Sequence, residues 1–248
     1  MRIFQKEDWL YHKHKCVTPD ALRFAQHKVD GYTIEDIQRT IDQASPGDII
    51  ILNNDESYGE KSIEGGSSSN KLVINKPIKL WGKKIHSELN CNLEIKSSGE
   101  YEDSSDSVVV VDIIINGQVN IRSNSYKSIT LCEVNVHCPA NAQGDALEIG
   151  ECKGKCLILN CEIYGGSDGV FIASDRVHLK LTEINNAQSR GIFSRRDFIL
   201  EDCTITGCCS YGIKGTAGWT ERGRNDIQPG PWSSFGGASA SYQSYGGW

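Results

Sequence analysis

Asp145 and Asp168 are the first residues whose type and spacing suggest chemistry, because each directly precedes a small residue, Ala146 or Gly169, and a short apolar run. If those runs lie on neighbouring turns of one winding, the two carboxyl groups approach each other. Paired carboxyls are the acid and base of glycoside cleavage. The plainer reading is a pair of solvated turn residues, and it is the one the sequence favours, since the next equivalent positions hold Arg190 and Tyr211. His12 and Cys16 share one face of a helix at i and i+4, and both residue types ligate zinc. A closed structural zinc site takes four ligands, so this pair is an incomplete site. His14 and His27 read as solvated. Cys152 and Cys156, and the group Cys203, Cys208 and Cys209, lack paired CxxC spacing and read as structural thiols. Arg195 and Arg196 mark a local anion-binding point or, more simply, a solvated turn.

Composition narrows the class. A net charge of −6 argues against broad nucleic-acid binding, which needs clustered cations facing phosphates. No apolar run reaches the roughly 20 residues that cross a bilayer, and the first residues lack the apolar stretch of a secretory signal. Of the ten cysteines, Cys132, Cys161 and Cys203 sit within strand-like apolar runs, as buried reduced thiols do. These features give the expectation of an intracellular protein, cytoplasmic or nuclear, with no membrane partner.

The elements that would position the candidate residues repeat. CEIYGGSDGVFI, TEINNAQSRGIF and CTITGCCSYGIK share one grammar: a strand, a small polar turn, then glycine and an aliphatic residue. Ile163, Ile184 and Ile205 recur every 21 residues, and Gly169, Gly191 and Gly212 keep step with them. Such a period is one coil of a solenoid, whose turns cannot bury their apolar faces alone. The glycines are expected at turns, where they allow positive φ. Ile129 to Val134 carries the same Cys-Glu-aliphatic ending as Cys161 to Ile163, so the longer gap between them places an insertion at residues 137 to 143. Solenoids often bind through such insertions. Leu72 to Ile74, Ile78 to Gly82, Leu93 to Ile95, Val108 to Ile115 and Val119 to Ile121 are earlier strands. Glu133, Glu162 and Glu183 read as one water-facing ridge.

An open solenoid end needs a cover, and Thr33 to Ala44 supplies one. Ile34, Ile37, Ile41 and Ala44 form an apolar helical stripe, Thr33 and Asp36 fit a capping box, and Pro46-Gly47 stops the helix. TIEDIQRTIDQASPGDIIIL followed by KPIKLWG resembles the opening coil of pectate-lyase-like β-helices. ALEIG followed by CLILNCEIYGGSDGVFI is similar to the β-helix of F-box-only-11-like proteins. The expected fold class is therefore all-β, a right-handed parallel β-helix over residues 33–215 with an N-terminal capping helix.

The first segment resembles the end of a MYND-type zinc finger through Gln5, Trp9, His12, Lys13 and Cys16, with Phe4 where the family has a cysteine. Residues 1–20 are thus expected to be a partial finger, either cut from a longer gene product or decayed. The resemblance implies zinc only if a longer chain or a partner completes the site. Residues 216–248 read as a Gly/Ser/aromatic low-complexity tail, with Trp219 or Trp232 as a cover for the far end of the solenoid. Together these resemblances imply a non-enzymatic scaffold that recognises a protein partner on the side of the β-helix, as in MYND-containing or ubiquitin-pathway proteins. The alternative is a β-helix that binds or cleaves carbohydrate, as a lyase or hydrolase, through Asp145 and Asp168.

Overall fold

The computed structural model describes residues 25–52, 57–59, 70–82, 87–97, 107–123, 125–139 and 142–228. Through them the chain winds as an all-β parallel solenoid of about eight coils. Each full coil lays down three short strands, and equivalent strands of successive coils pair in parallel, giving three faces along one axis.

The first face stacks β1 (Gln26–Lys28), β2 (Ile49–Ile51), β5 (Lys79–Trp81), β8 (Ser107–Ile115), β10 (Ser128–His137), β12 (Lys155–Leu159), β15 (Val177–Lys180), β18 (Phe198–Glu201) and β21 (Trp219–Arg222). Strands β8 and β10 bend onward into the second face. That face also holds β3 (Ser57–Tyr58), β6 (Ser87–Leu89), β13 (Glu162–Tyr164), β16 (Glu183–Asn185), β19 (Thr204–Thr206) and β22 (Asp226–Ile227). The third face is β4 (Lys71–Ile74), β7 (Asn92–Lys96), β9 (Val119–Arg122), β11 (Leu147–Ile149), β14 (Asp168–Ile172), β17 (Arg190–Ser194) and β20 (Tyr211–Gly215).

Alternation along each strand sends every second side chain inward. Ile163, Ile184 and Ile205 pair directly with one another and are fully buried in a single apolar column. Each such aliphatic side chain contributes roughly 1.5–3 kcal/mol by leaving water. The corner between the first two faces is made by one residue per coil in the left-handed region: Asp112 (φ 59), Glu133 (φ 56), Asn160 (φ 50), Leu181 (φ 51), Asp202 (φ 52) and Gly223 (φ 64). Register places them in one row. Asn, Asp and Gly suit that conformation; Leu181 carries a steric cost of about 1–2 kcal/mol.

The outside of the first face holds a second apolar cluster of Val109, Val111, Cys132 and Leu159, with Trp81, Leu157 and Leu181 beside it. Cys132 therefore faces away from the central column. Leu181 gains apolar contact there that offsets part of its backbone strain.

The capping helix α1 (Ile34–Gln43) forms as the sequence implies, with Ile34, Ile37 and Ile41 buried. Thr33 Oγ1 accepts from Asp36 N at 3.1 Å, and Asp36 Oδ2 accepts from Thr33 N at 3.2 Å. The helix also closes a sheet edge: the Gln38 amide accepts from Val73 N at 2.8 Å and donates to Val73 O at 3.1 Å. Unpaired edge strands invite association with other chains, and this contact removes one.

The solenoid extends beyond both expected boundaries. Strand β1 pairs with β2 ahead of residue 33, and β21 and β22 pair with β18 and β19 past Gly215. Part of the expected tail is thus a last coil, and Trp219 stacks on Phe198 at 6.3 Å between ring centroids. The rest of that tail, residues 229–248, lies outside the described residues.

His27, expected to be solvated, pairs with Asp48 at 2.8 Å and ties β1 to the turn that leads from the cap into β2. Asp48 also accepts from Ser45 N at 2.8 Å and Ala25 N at 3.2 Å. Burial opposes its charge, but the His27 and backbone hydrogen bonds outweigh that and hold the carboxyl below its ordinary range. A depressed carboxyl adds stability that is full above its unfolded value, about 3.9, and is lost as pH falls through the folded value. Denaturant titrations from neutrality to acid test this: Asp48→Asn lowers stability at neutral pH and flattens the fall below about pH 4.

Candidate functional site

Asp145 precedes β11 and lies level with Asp168, the first residue of β14; Arg190 and Tyr211 follow in the same row. Sequence spacing thus located all four residues. Asp168 and Arg190 form an ion pair. Arg190 grips both oxygens of Asp168, Nε to Oδ1 at 2.7 Å and Nη2 to Oδ2 at 2.6 Å, and its backbone N–H also points to Oδ1 at 3.3 Å. Only 4% of the Asp168 side chain is exposed. Asp145 accepts a hydrogen bond from Asp168 N at 3.1 Å. Burial raises the Asp145 carboxyl, with repulsion from Asp168 and Glu148 in the same direction. One carboxylate is thus held by an arginine and shielded, whereas an acid–base pair presents two carboxyl groups to its substrate.

The insertion between β10 and β11 occupies the corner between the second and third faces. It is pinned by a turn, Ala142 N to Pro139 O at 2.9 Å, and by Ser167 N donating to Gly144 O at 2.7 Å. Beside it His137 meets the exposed Tyr164 edge-on at 6.4 Å. Glu162 and Glu183 pair side by side, but Glu133 sits at the left-handed corner and Asn135 takes its expected place opposite Glu162.

Further along the third face lies a group that sequence reasoning did not assemble. Phe171 of β14 and Phe193 of β17 are paired in register and point outward, ring centroids 5.7 Å apart. Arg190 lies 3.8 Å from the Phe193 centroid, and Arg195 lies 5.4 Å from that of Phe171. Lys214 approaches the Tyr211 ring at 4.7 Å in the next coil. The signal was present: both phenylalanines stand two residues after the repeating glycines Gly169 and Gly191, at alternate positions to the inward Val170 and Ile192.

The fold is similar to that of a viral protein. A solved structure titled "Geobacillus virus E2 - ORF18" superposes with a TM-score of 0.57 at 14% sequence identity, covering 91% of this chain and 52% of that one. The chain thus spans about half the length of that protein, and the likeness is one of fold. No family model matches the chain, and no curated protein does.

Among the described residues no group of three or more His, Cys, Asp or Glu side chains converges as a metal site. The described cysteines are free thiols. Burial pushes Cys91 and Cys161 up to about 12 and Cys138 up to about 11, as for thiols packed among apolar side chains. Cys152 and Cys156 share a hydrogen bond, Cys203 and Cys208 are buried, and Cys209 is exposed. His12, His14 and Cys16 lie outside the described residues, as does the zinc-finger resemblance of residues 1–20. No described helix is long and apolar enough to cross a membrane.

Proposed function

We propose that this chain is a non-enzymatic recognition scaffold that holds a protein partner against its third face. The observation that carries the reading is the outward Phe171–Phe193 pair flanked by Arg190 and Arg195. Aromatic residues and arginine dominate the energetic centres of protein interfaces, where they combine large apolar area with fixed polar groups. Arg190 is held rigid by Asp168, so little side-chain entropy is lost when a partner seats on it. The corner insertion, His137 and Tyr164 extend the surface toward the second face. Free cysteines support a reducing, intracellular setting. Zinc at His12 and Cys16, completed by a partner or a longer chain, and a role in the ubiquitin pathway belong to the same proposal through the resemblances alone.

The test pairs capture with catalysis. Phe171→Ser and Arg195→Glu, both at outward positions, should abolish specific retention of a partner from cell extract while leaving the melting temperature unchanged. Incubation with acidic and neutral polysaccharides should yield no cleavage. Turnover that disappears in Asp145→Ala would overturn the scaffold reading in favour of the carbohydrate-cleaving one.

A further inference from the structure

Cys152 and Cys156 flank the turn Lys153-Gly154-Lys155, which carries the chain from the third face into β12 of the first. Their side chains share a hydrogen bond. Cys156 belongs to the central column and is buried, whereas Cys152 packs at the rim of that column and is half-buried. One thiol of the pair therefore meets solvent and the other backs it.

The backbone around them is tied down. Cys152 N donates to Ser174 Oγ at 3.2 Å, and that hydroxyl donates back to Cys152 O at 2.9 Å. Lys153 N donates to Ser123 O at 3.3 Å, Lys155 N to Lys127 O at 3.2 Å and Cys156 N to Arg176 O at 3.2 Å. Gly154 sits so close to the preceding coil that a methyl group there would collide with the Tyr126 carbonyl oxygen. Held from the coils on both sides, the turn keeps the two sulfurs together. A bond of about 2.05 Å forms from such a pair by a small closing movement.

The contact also gives the two thiols different roles. The Cys156 hydrogen bond, with contacts to Ser123 and Ser174, outweighs burial and holds the Cys152 thiol below its ordinary range. The same hydrogen bond, together with burial, pushes Cys156 up. Thiolate is the attacking form in thiol–disulfide exchange, so Cys152 is the nucleophile and Cys156 the resolving thiol. Exposed Lys153 and Lys155 favour an anionic reagent at the turn.

We propose that Cys152 and Cys156 are a reversible redox site for anionic low-molecular-weight disulfides such as oxidised glutathione. Cys152 Sγ bonds to one sulfur of the reagent, whose S–S bond breaks and whose other half leaves as a thiol carrying the Cys152 proton. Cys156 Sγ then bonds to Cys152 Sγ, the mixed disulfide breaks, and the second half leaves as a thiol carrying the Cys156 proton. Two protein thiols are oxidised and one disulfide is reduced to two thiols. In a reducing setting the pair rests as thiols, and the bond records exposure to oxidant. No residue of this site belongs to the aromatic–arginine group, and the site needs no protein partner.

The full chain, incubated with oxidised glutathione, alkylated and cut with trypsin without reduction, provides the measurement. Trypsin cuts after Lys153 and Lys155, so the bond would join residues 128–153 to residues 156–176. The expected product is that linked pair, two hydrogens lighter than its parts, with fragmentation placing the bond at Cys152 and Cys156 and dithiothreitol separating it. Cys156→Ser should stop at a glutathione adduct on Cys152, and Cys152→Ser should leave Cys156 unmodified. The proposal is overturned if both thiols stay free while the exposed Cys209 takes up glutathione. Linkage through Cys132, Cys138 or Cys161 instead, or linkage as fast in urea as in the folded protein, would overturn it equally. These last three readings come from the parent protein and stand even where Cys156→Ser fails to fold; Cys156→Ala is the second variant.

Discussion

Gly191→Ala should lower the melting temperature by roughly 5–10 °C, an effect of about 2–3 kcal/mol for a chain of this size. A methyl group at Gly191 would lie 2.3 Å from Ile205 Cγ2 and 2.6 Å from the carbonyl oxygen of Gly212. Cys208 Sγ would be 3.1 Å away on another side. Ile205 could shift only by disturbing the central column, and the Gly212 oxygen belongs to backbone fixed by strand pairing. Gly169 repeats the situation one coil earlier, with 2.4 Å to Ile184 Cγ2 and 2.7 Å to Gly191 O. Gly218 supplies the control, since a methyl group there meets only Asp197 Oδ1 at 3.6 Å, ordinary contact. Thermal denaturation of Gly191→Ala and Gly218→Ala side by side decides the matter. Equal melting temperatures would mean the coils can separate to admit a side chain, and the close approach would lose its significance.

That result also separates two reasons for a repeated glycine. Spacing alone put Gly169, Gly191 and Gly212 at equivalent positions, and the turn hypothesis assigned them positive φ. None of the three has it. Their repetition reflects contact between coils, which a linear sequence does not display. Positive φ falls instead on other glycines, Gly165, Gly166 and Gly207 among them, and on a corner row of non-glycine residues from Asp112 to Asp202 that was hidden because Leu181 and Glu133 are not turn formers. Glu133 misled twice, since Cys132-Glu133-Val134 straddles the corner whereas Cys161-Glu162-Ile163 follows it. In register Cys132 lies opposite Leu159, so the matched letters were displaced by two residues. That slip crosses the corner, so it equated the outward Cys132 with the inward Cys161, a difference that identical letters do not show.

Legibility of the candidate site divides along the same line. Asp145, Asp168, Arg190 and Tyr211 were placed in one row by counting, because period determines position along the axis. Whether two carboxylates meet a substrate or an arginine meets one of them depends on side-chain direction at a corner, and counting is blind to that. Phe171 and Phe193 were readable from alternation once the coil was known.

Removing Arg190 should be the most damaging single change in the third face. Asp168 exposes only 4% of its side chain and Arg190 23%, so losing the arginine side chain strands a shielded carboxylate with two of its three hydrogen bonds gone. Breaking a buried pair from one side costs about 3–5 kcal/mol, and Arg190→Met should accordingly lower the melting temperature by roughly 10 °C or more. Arg190→Lys should recover little, since an ammonium group cannot span both oxygens as the guanidinium does. Asp168→Asn should be milder, because it leaves the charge on the more exposed partner, which can turn to water. The double change Asp168→Leu with Arg190→Met should regain most of the loss by replacing the pair with apolar volume. A catalytic carboxylate would behave otherwise: its loss typically spares or raises stability while removing activity. If Asp168→Asn melted above the parent protein, the pair would be a strained functional feature and the acid–base reading would return. The ordering expected here, with arginine loss worst and the double change mildest, identifies Asp168 as the anchor that fixes Arg190 against Phe193 and so keeps the outer aromatic surface in its shape.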